Sequence, residues 1–209
     1  LLPPTPTPTP LVPAQAVQET QGMLALMEKT GYSKAEIISL TTAFRKIAGP
    51  EERIDMRTFR GIYTKVMHCG AQLADGVFRA TDQSGDGLID LREFLSLCAI
   101  LQRGTPLDRL KIIFNAWDTD RSGELSPEEV ERMLRATITL EEGDAKDKAV
   151  HSMMQRAFRR IDGADGSRKD GQISFDEIKA CFESDAQSRE LITNFLGQNI
   201  PSVDDLIQT

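Results

Sequence analysis

The twelve residues from Asp82 to Glu93, DQSGDGLIDLRE, constrain this chain more than any other stretch. Oxygen-bearing side chains fall at loop positions one, three, five, nine and twelve: Asp82, Ser84, Asp86, Asp90 and Glu93. Leu88 at position seven has only its backbone carbonyl to offer, and Gly87 at position six stands where the chain must turn sharply. A hard divalent cation takes about six to eight oxygens at about 2.3–2.6 Å, and this spacing wraps them around one point. Asp90 and Glu93 also head an apolar run three residues apart, the N-cap and N3 of a helix. One set of residues therefore both starts a helix and closes a cation loop. Phe78 and Phe94 flank the loop on its two sides.

The pattern recurs. Asp118, Asp120, Ser122, Ser126 and Glu129 repeat the side-chain positions, Glu124 contributes a carbonyl at position seven, and Gly123 makes the turn. Ser126-Pro127-Glu128-Glu129 is a helix start in its own right, with an N-cap, proline at N1 and glutamate at N3. Three side-chain carboxylates stand here against four in the earlier loop, which predicts weaker cation binding if charge count dominates.

Two degenerate copies complete a repeat. AGPEERIDMRTF occupies the place of a cation loop without the ligands: position one is Ala48, position twelve is Thr58, and the loop is one residue short. It is not expected to bind. In the last copy position one is Asp162, while Ile173 and Glu177 fix the far end, leaving sixteen residues where twelve are expected. Asp162, Asp165, Asp170 and Glu177 converge if the extra residues bulge outwards; Arg168 and Lys169 bring positive charge that opposes binding. The alternative is a loop retained for pairing with the third. Phe44, Phe78, Phe114 and Phe158 each end an entering helix, and Ile54, Ile89, Leu125 and Ile173 hold the eighth position. The expectation is an all-α fold of four helix–loop–helix units in two paired lobes, each pair joined by a short antiparallel bridge at the eighth residues.

Around these units, residues 1–16 form a Pro-rich tail, 17–102 the first pair, 103–183 the second, and 184–209 a last helix and acidic tail. Alternating Thr-Pro favours extended polyproline II, either as a docking strand or as a spacer. Met23, Leu24, Leu26 and Met27 give a short helical face that Gly31 ends, and Ser33 with Glu36 spells a capping box for the next helix. Leu191, Ile192, Phe195 and Leu196 line one side of the last helix, which either folds back over an apolar groove or completes the core.

A net charge of −7 argues against a nucleic-acid partner, and no apolar run approaches the roughly 18 residues of a membrane span. The chain opens on Leu1 rather than Met, so lipidation or membrane anchoring at an N-terminus is not visible in it. Cys69, Cys98 and Cys181 are odd in number and not at metal spacing, which suits reduced thiols in a cytosolic setting. His68 and His151 have no Ser, Cys or carboxylate partner at a catalytic spacing. No catalytic residue and no organic cofactor site is therefore assigned, and the chain is read as a non-enzyme.

The order of these units, and the segment LQRGTPLDRLKIIFNAWDTDRSGELSPEEVERML, resemble the superfamily of four-EF-hand calcium sensors. That superfamily includes calcineurin B, the plant calcineurin-B-like proteins, the neuronal calcium sensors and the calaxin-like ciliary sensors. The resemblance runs from about Ser33 to Leu196; TGYSKAEIISLTTAF, the ligand-poor first loop and the Arg103-Gly104-Thr105 linker are most similar to the calaxin type. The middle segment also resembles the EF-hand module of calcium-activated NADPH oxidases. The long fourth loop and the Pro-rich N-terminus depart from the pattern. The resemblance implies Ca2+ in the second and third loops, with a third ion only if the fourth loop closes. It further implies apolar surface opening to a partner helix, with Met56, Ile62, Leu95, Leu101, Ile113, Met133 and Phe182 as candidates. For the calaxin type, axonemal dynein in the cytoplasm of a cilium or flagellum is the implied partner. A regulatory module of a larger enzyme, and a structural subunit with incidental calcium sites, are the competing implications.

Overall fold

Helix caps set the register of the chain from the second helix onwards. The computed structural model describes residues 14–67, 70–138 and 143–196; most of the Pro-rich tail, His68, Cys69 and the acidic tail lie outside them. Helix α1 (Ala14–Thr30) ends at Gly31, whose φ of 70° suits glycine. It begins inside the stretch expected to be extended through Ala16, because Pro13 is the last proline there and no later residue lacks the amide a helix needs. Ser33 caps α2 (Lys34–Ala48): its hydroxyl accepts from the Glu36 amide, and its own amide donates to Glu36 Oε2 at 2.8 Å.

A short 3-10 turn, Gly49–Glu51, leads to β1 (Ile54–Asp55) and α3 (Met56–Met67). The second unit is α4 (Ala71–Thr81), β2 (Leu88–Ile89) and α5 (Leu91–Arg103). The third is α6 (Pro106–Trp117), β3 (Glu124–Leu125) and α7 (Pro127–Thr137). The fourth is α8 (Asp144–Arg160), β4 (Ile173–Ser174) and α9 (Phe175–Ser184), followed by α10 (Ala186–Leu196). The fold is all-α apart from two antiparallel bridges. β1 pairs with β2 in the register Ile54↔Ile89, and β3 with β4 in the register Leu125↔Ile173. These are the eighth-position residues, and all four are buried, so each bridge lies on the core. No described helix is long and apolar enough to cross a membrane.

The core is built from the repeated aromatics. Phe44 meets Phe94 at 5.3 Å between ring centroids, Phe59 meets Phe78 at 5.7 Å, and Phe114 meets Phe175 at 5.6 Å. Trp117 is buried with them, as are Leu95, Leu101, Ile113 and Met133, which belong to the interior and line no open surface. Met56, Ile62 and Phe182 are half-buried against it. The second and third units join where α4 packs on α6: Gly76 lies so close to Ala116 that an added Cβ would fall 2.3 Å from the Ala116 carbonyl oxygen.

Two further contacts hold the outer helices. Arg103, at the end of α5, donates to the Gly31 carbonyl, pairs with Glu36 and stacks over the Tyr32 ring, which ties the α1–α2 turn to the linker. α10 packs on α9 and α6 with Ile192 and Ser188 buried. Arg160 of α8 anchors it through Asp185 at 2.6 Å and Ser188 Oγ at 2.7 Å. The side chains of Leu191, Phe195 and Leu196 lie outside the described residues.

Candidate metal centre

Each entering helix delivers its last hydrogen-bonded residue to a loop. The Asp82 amide donates to the Phe78 carbonyl at 2.9 Å and the Asp118 amide to the Phe114 carbonyl at 2.9 Å, so the position-one carboxylates stand at the ends of α4 and α6. Asp82 then accepts from the Gly85 amide at 2.8 Å and the Gly87 amide at 2.9 Å. Asp118 accepts from the Ser122 and Gly123 amides, both at 2.9 Å. Gly87 and Gly123 turn these amides inwards at φ 80° and 88°, a backbone that side chains disfavour.

The position-twelve glutamates close the other end. Glu93 Oε1 accepts from the Gln83 and Ser84 amides at 2.9 and 3.0 Å, while Oε2 accepts from the Asp90 amide at 3.0 Å. Glu129 Oε1 accepts from the Thr119 amide at 2.7 Å and its hydroxyl at 2.8 Å, and Oε2 from the Ser126 amide at 3.1 Å. Both are N3 residues of capping boxes and both are buried, 8% and 3% exposed. Thr119 was not among the residues the loop pattern singles out; its only sequence signal is a hydroxyl beside Asp118.

Of the remaining ligand positions, Ser84 donates to Asp82 at 3.2 Å, Leu88 lies in β2 opposite Asp55, and Asp90 caps α5 through the Glu93 amide at 2.9 Å. In the third loop the Ser122 hydroxyl donates to the Glu124 carbonyl at 2.9 Å, and Ser126 caps α7. Asp118, Asp120 and Glu129 bring carboxylate oxygens within 4.8 Å of one another, the one such acidic group among the described residues. The second loop forms none: its position three is Ser84, not a carboxylate, and Asp86 at position five is turned to Arg53, 2.7 Å from Oδ2.

Burial pushes the Asp118 carboxyl above the usual carboxylate range. Burial pushes Glu129 the same way, but hydrogen bonds from Thr119 and Ser126 outweigh it and hold the group low. The exposed Asp120 is held low by its bonds to Ser122. Three carboxylates this close disfavour one another's charge until a cation joins them. Arg132 stands 3.8 Å from Glu129 Oε1, beyond hydrogen-bond reach of it. The donor set is carboxylate, hydroxyl and carbonyl oxygen with neither thiol nor imidazole, which fits a hard ion such as Ca2+ and not Zn2+.

The enlarged fourth loop closes only in part. Asp162 accepts from the Asp170 and Gly171 amides at 3.3 and 3.2 Å, and Glu177 accepts from the Gly163 amide at 2.6 Å and the Ser167 hydroxyl at 3.0 Å. Both are buried, so the two ends meet. Asp165 instead turns to the Ser167 amide and Asp170 to the Gln172 amide, and these four do not gather into a metal-holding group. Lys169, expected to oppose an ion, reaches away to the Arg159 carbonyl at 3.1 Å. In the first loop Asp55 caps the Thr58 amide and no acidic set forms. Cys98 and Cys181 are buried free thiols, with burial pushing Cys98 up to about 12, and His151 is exposed beside Gln155.

Position four of the third loop carries a cost. Arg121 holds φ 59° where the second loop has Gly85 at 74°. A left-handed non-glycine residue costs about 1–2 kcal/mol. Arg121→Gly is therefore expected to stabilise the calcium-free protein by about 1 kcal/mol, net of the added freedom of the unfolded chain. A lower melting temperature in the variant would contradict this.

Residues 73–135, which contain both well-formed loops, match the family model of the EF-hand domain pair. Among relatives, a calcium and calcium/calmodulin-dependent serine/threonine-protein kinase of Lotus japonicus is 29% identical over 178 residues, covering 85% of this chain and 33% of the kinase. A recoverin family protein of Dictyostelium discoideum is 28% identical, covering 74% of this chain and 77% of that protein. Calaxin of Xenopus laevis is 25% identical, covering 81% and 82%. The chain spans about a third of the length of the plant kinases it matches.

Proposed function

We propose that this chain, an EF-hand protein, is a calcium sensor that reports ion binding in its second and third loops to a protein partner. Asp82, Ser84, Asp86, the Leu88 carbonyl, Asp90 and Glu93 would hold one ion. Asp118, Asp120, Ser122, the Glu124 carbonyl, Ser126 and Glu129 would hold another. The observation that carries this is the double engagement of Glu93 and Glu129. Each is N3 of the exiting helix and bonds the entrance of its own loop, so a change at the ion reorients α5 or α7. The response requires that calcium bind the reoriented form better than the resting one.

The partner reading draws on the first pair. A groove beside α2 and α3 has Ile47 and Ile62 in its wall and Lys46, Arg57 and Lys65 along it, a chemistry that suits an amphipathic helix. The likeness to calaxin along some four fifths of both chains supports a ciliary or flagellar setting, with axonemal dynein as the finer proposal. A second reading rests on the plant kinases, which match 83–88% of this chain over only 32–34% of their own length. On that reading the chain is a calcium-sensing module of a larger enzyme. Affinity capture with and without calcium separates sensor from scaffold: the sensor gains or loses its partner with the ion, and a calcium-indifferent partner contradicts the proposal.

Calorimetric titration is expected to give one ion in each of the second and third loops. Glu177→Gln should leave that stoichiometry unchanged, because Asp165 and Asp170 are engaged by the Ser167 and Gln172 amides and do not gather with Asp162 and Glu177 into a metal-holding group. Loss of an ion on that substitution would assign calcium to the fourth loop.

A further inference from the structure

We propose that Arg53, in the ligand-poor first loop, is a tethered counter-ion for the second loop: it holds Asp86 until calcium displaces it and thereby sets calcium affinity there. The inference rests on the second loop being a calcium site. Arg53 immediately precedes β1, at position seven of its loop, and the register Ile54↔Ile89 places that strand beside β2. From there Nη1 lies 2.7 Å from Asp86 Oδ2, with the two side chains 42% and 41% exposed. Asp86 Oδ1 accepts from the Leu88 amide at 2.9 Å, so both oxygens of the position-five carboxylate are engaged away from Asp82 and Glu93.

The other pair of loops supplies the contrast. Position five of the third loop is Ser122, which offers an arginine no charge, and the residue corresponding to Arg53 in the fourth loop is the neutral Gln172. The three carboxylates that converge there within 4.8 Å include Asp120 at position three, where the second loop has Ser84, so the contrast that bears on Arg53 is the one at position five. The second loop has one carboxylate more than the third, and Arg53 offsets that advantage. A ligand engaged elsewhere lowers apparent affinity by the fraction of time it is free. For an exposed ion pair that fraction corresponds to about a two- to fivefold effect, which salt reduces. The first unit, without binding calcium, would in this way tune the unit paired with it.

The test is calcium titration by calorimetry on the full chain, with Glu129→Gln as background to isolate the second loop. Arg53→Gln is expected to tighten the second site about two- to fivefold at low salt, and Arg53→Lys to stay near wild type. In an Asp86→Asn background Arg53→Gln should change nothing, since the pair is already broken. Unchanged affinity in Arg53→Gln would overturn the inference while leaving the sensor intact. Equal tightening in both backgrounds would also overturn it, because the effect would then be a general field and not this pair. A wild-type second loop that binds no calcium would remove both the inference and the reading beneath it.

Discussion

Replacing Glu93 or Glu129 with Gln is expected to abolish calcium binding in the loop concerned and leave the other loop competent. The substitution removes a charge and turns one of two ligating oxygens into an amide nitrogen that cannot coordinate. Disturbing even an outer partner of a metal ligand costs about 10–100-fold in affinity, so loss at the ligand itself should reach at least about 100-fold. The calcium-free protein should suffer as well. Glu93 accepts three backbone amides across its two oxygens, and Glu129 accepts from Thr119 and Ser126 in the same way. An amide NH2 on one side sets donor against donor and leaves a buried amide unpaired, worth about 1–3 kcal/mol. Each variant should therefore melt earlier in chelator and bind one ion fewer in calcium. A variant that keeps both ions would refute the role given to position twelve.

The two effects share a cause that the sequence displays plainly. Ser33 with Glu36, Asp90 with Glu93 and Ser126 with Glu129 are local patterns, closed within four residues, and each forms the capping box that its spacing implies. The bridge register was legible because the spacing to the exiting helix is the same in all four loops although their lengths differ: once Ile54, Ile89, Leu125 and Ile173 share a position counted from that end, their pairing is determined. What was not legible joins residues far apart. Arg53 meets Asp86 across 33 residues, and Arg103 meets Glu36 across 67, with no periodicity to announce either. The fourth loop shows the same boundary. Its ends, Asp162 and Glu177, closed as their alignment with the other loops suggested, whereas the rotamers of Asp165, Lys169 and Asp170 depend on how the inserted residues fold, and spacing does not encode that.

Gly76→Ala is expected to destabilise the protein by about 3 kcal/mol, lowering the melting temperature by about 6–12 °C. Helix propensity alone predicts the opposite sign, since glycine inside a helix costs about 1 kcal/mol relative to alanine. Packing decides the outcome. The added Cβ would lie 2.3 Å from the Ala116 carbonyl oxygen, 2.9 Å from its carbon and 3.0 Å from its Cβ. Two of these are backbone atoms, which cannot swing aside as a flexible side chain would. α4 and α6 must then separate, and these are the helices that end at Asp82 and Asp118, so both loops would be displaced at position one. Gly61→Ala in α3 is the matched control: nothing lies within 4 Å of its would-be Cβ, and the substitution should stabilise by about 0.5–1 kcal/mol. Thermal melts of the two variants in calcium and in chelator separate packing from propensity. Opposite signs place the close approach of α4 and α6 at Gly76; a shared stabilisation would mean that the seam opens at no cost.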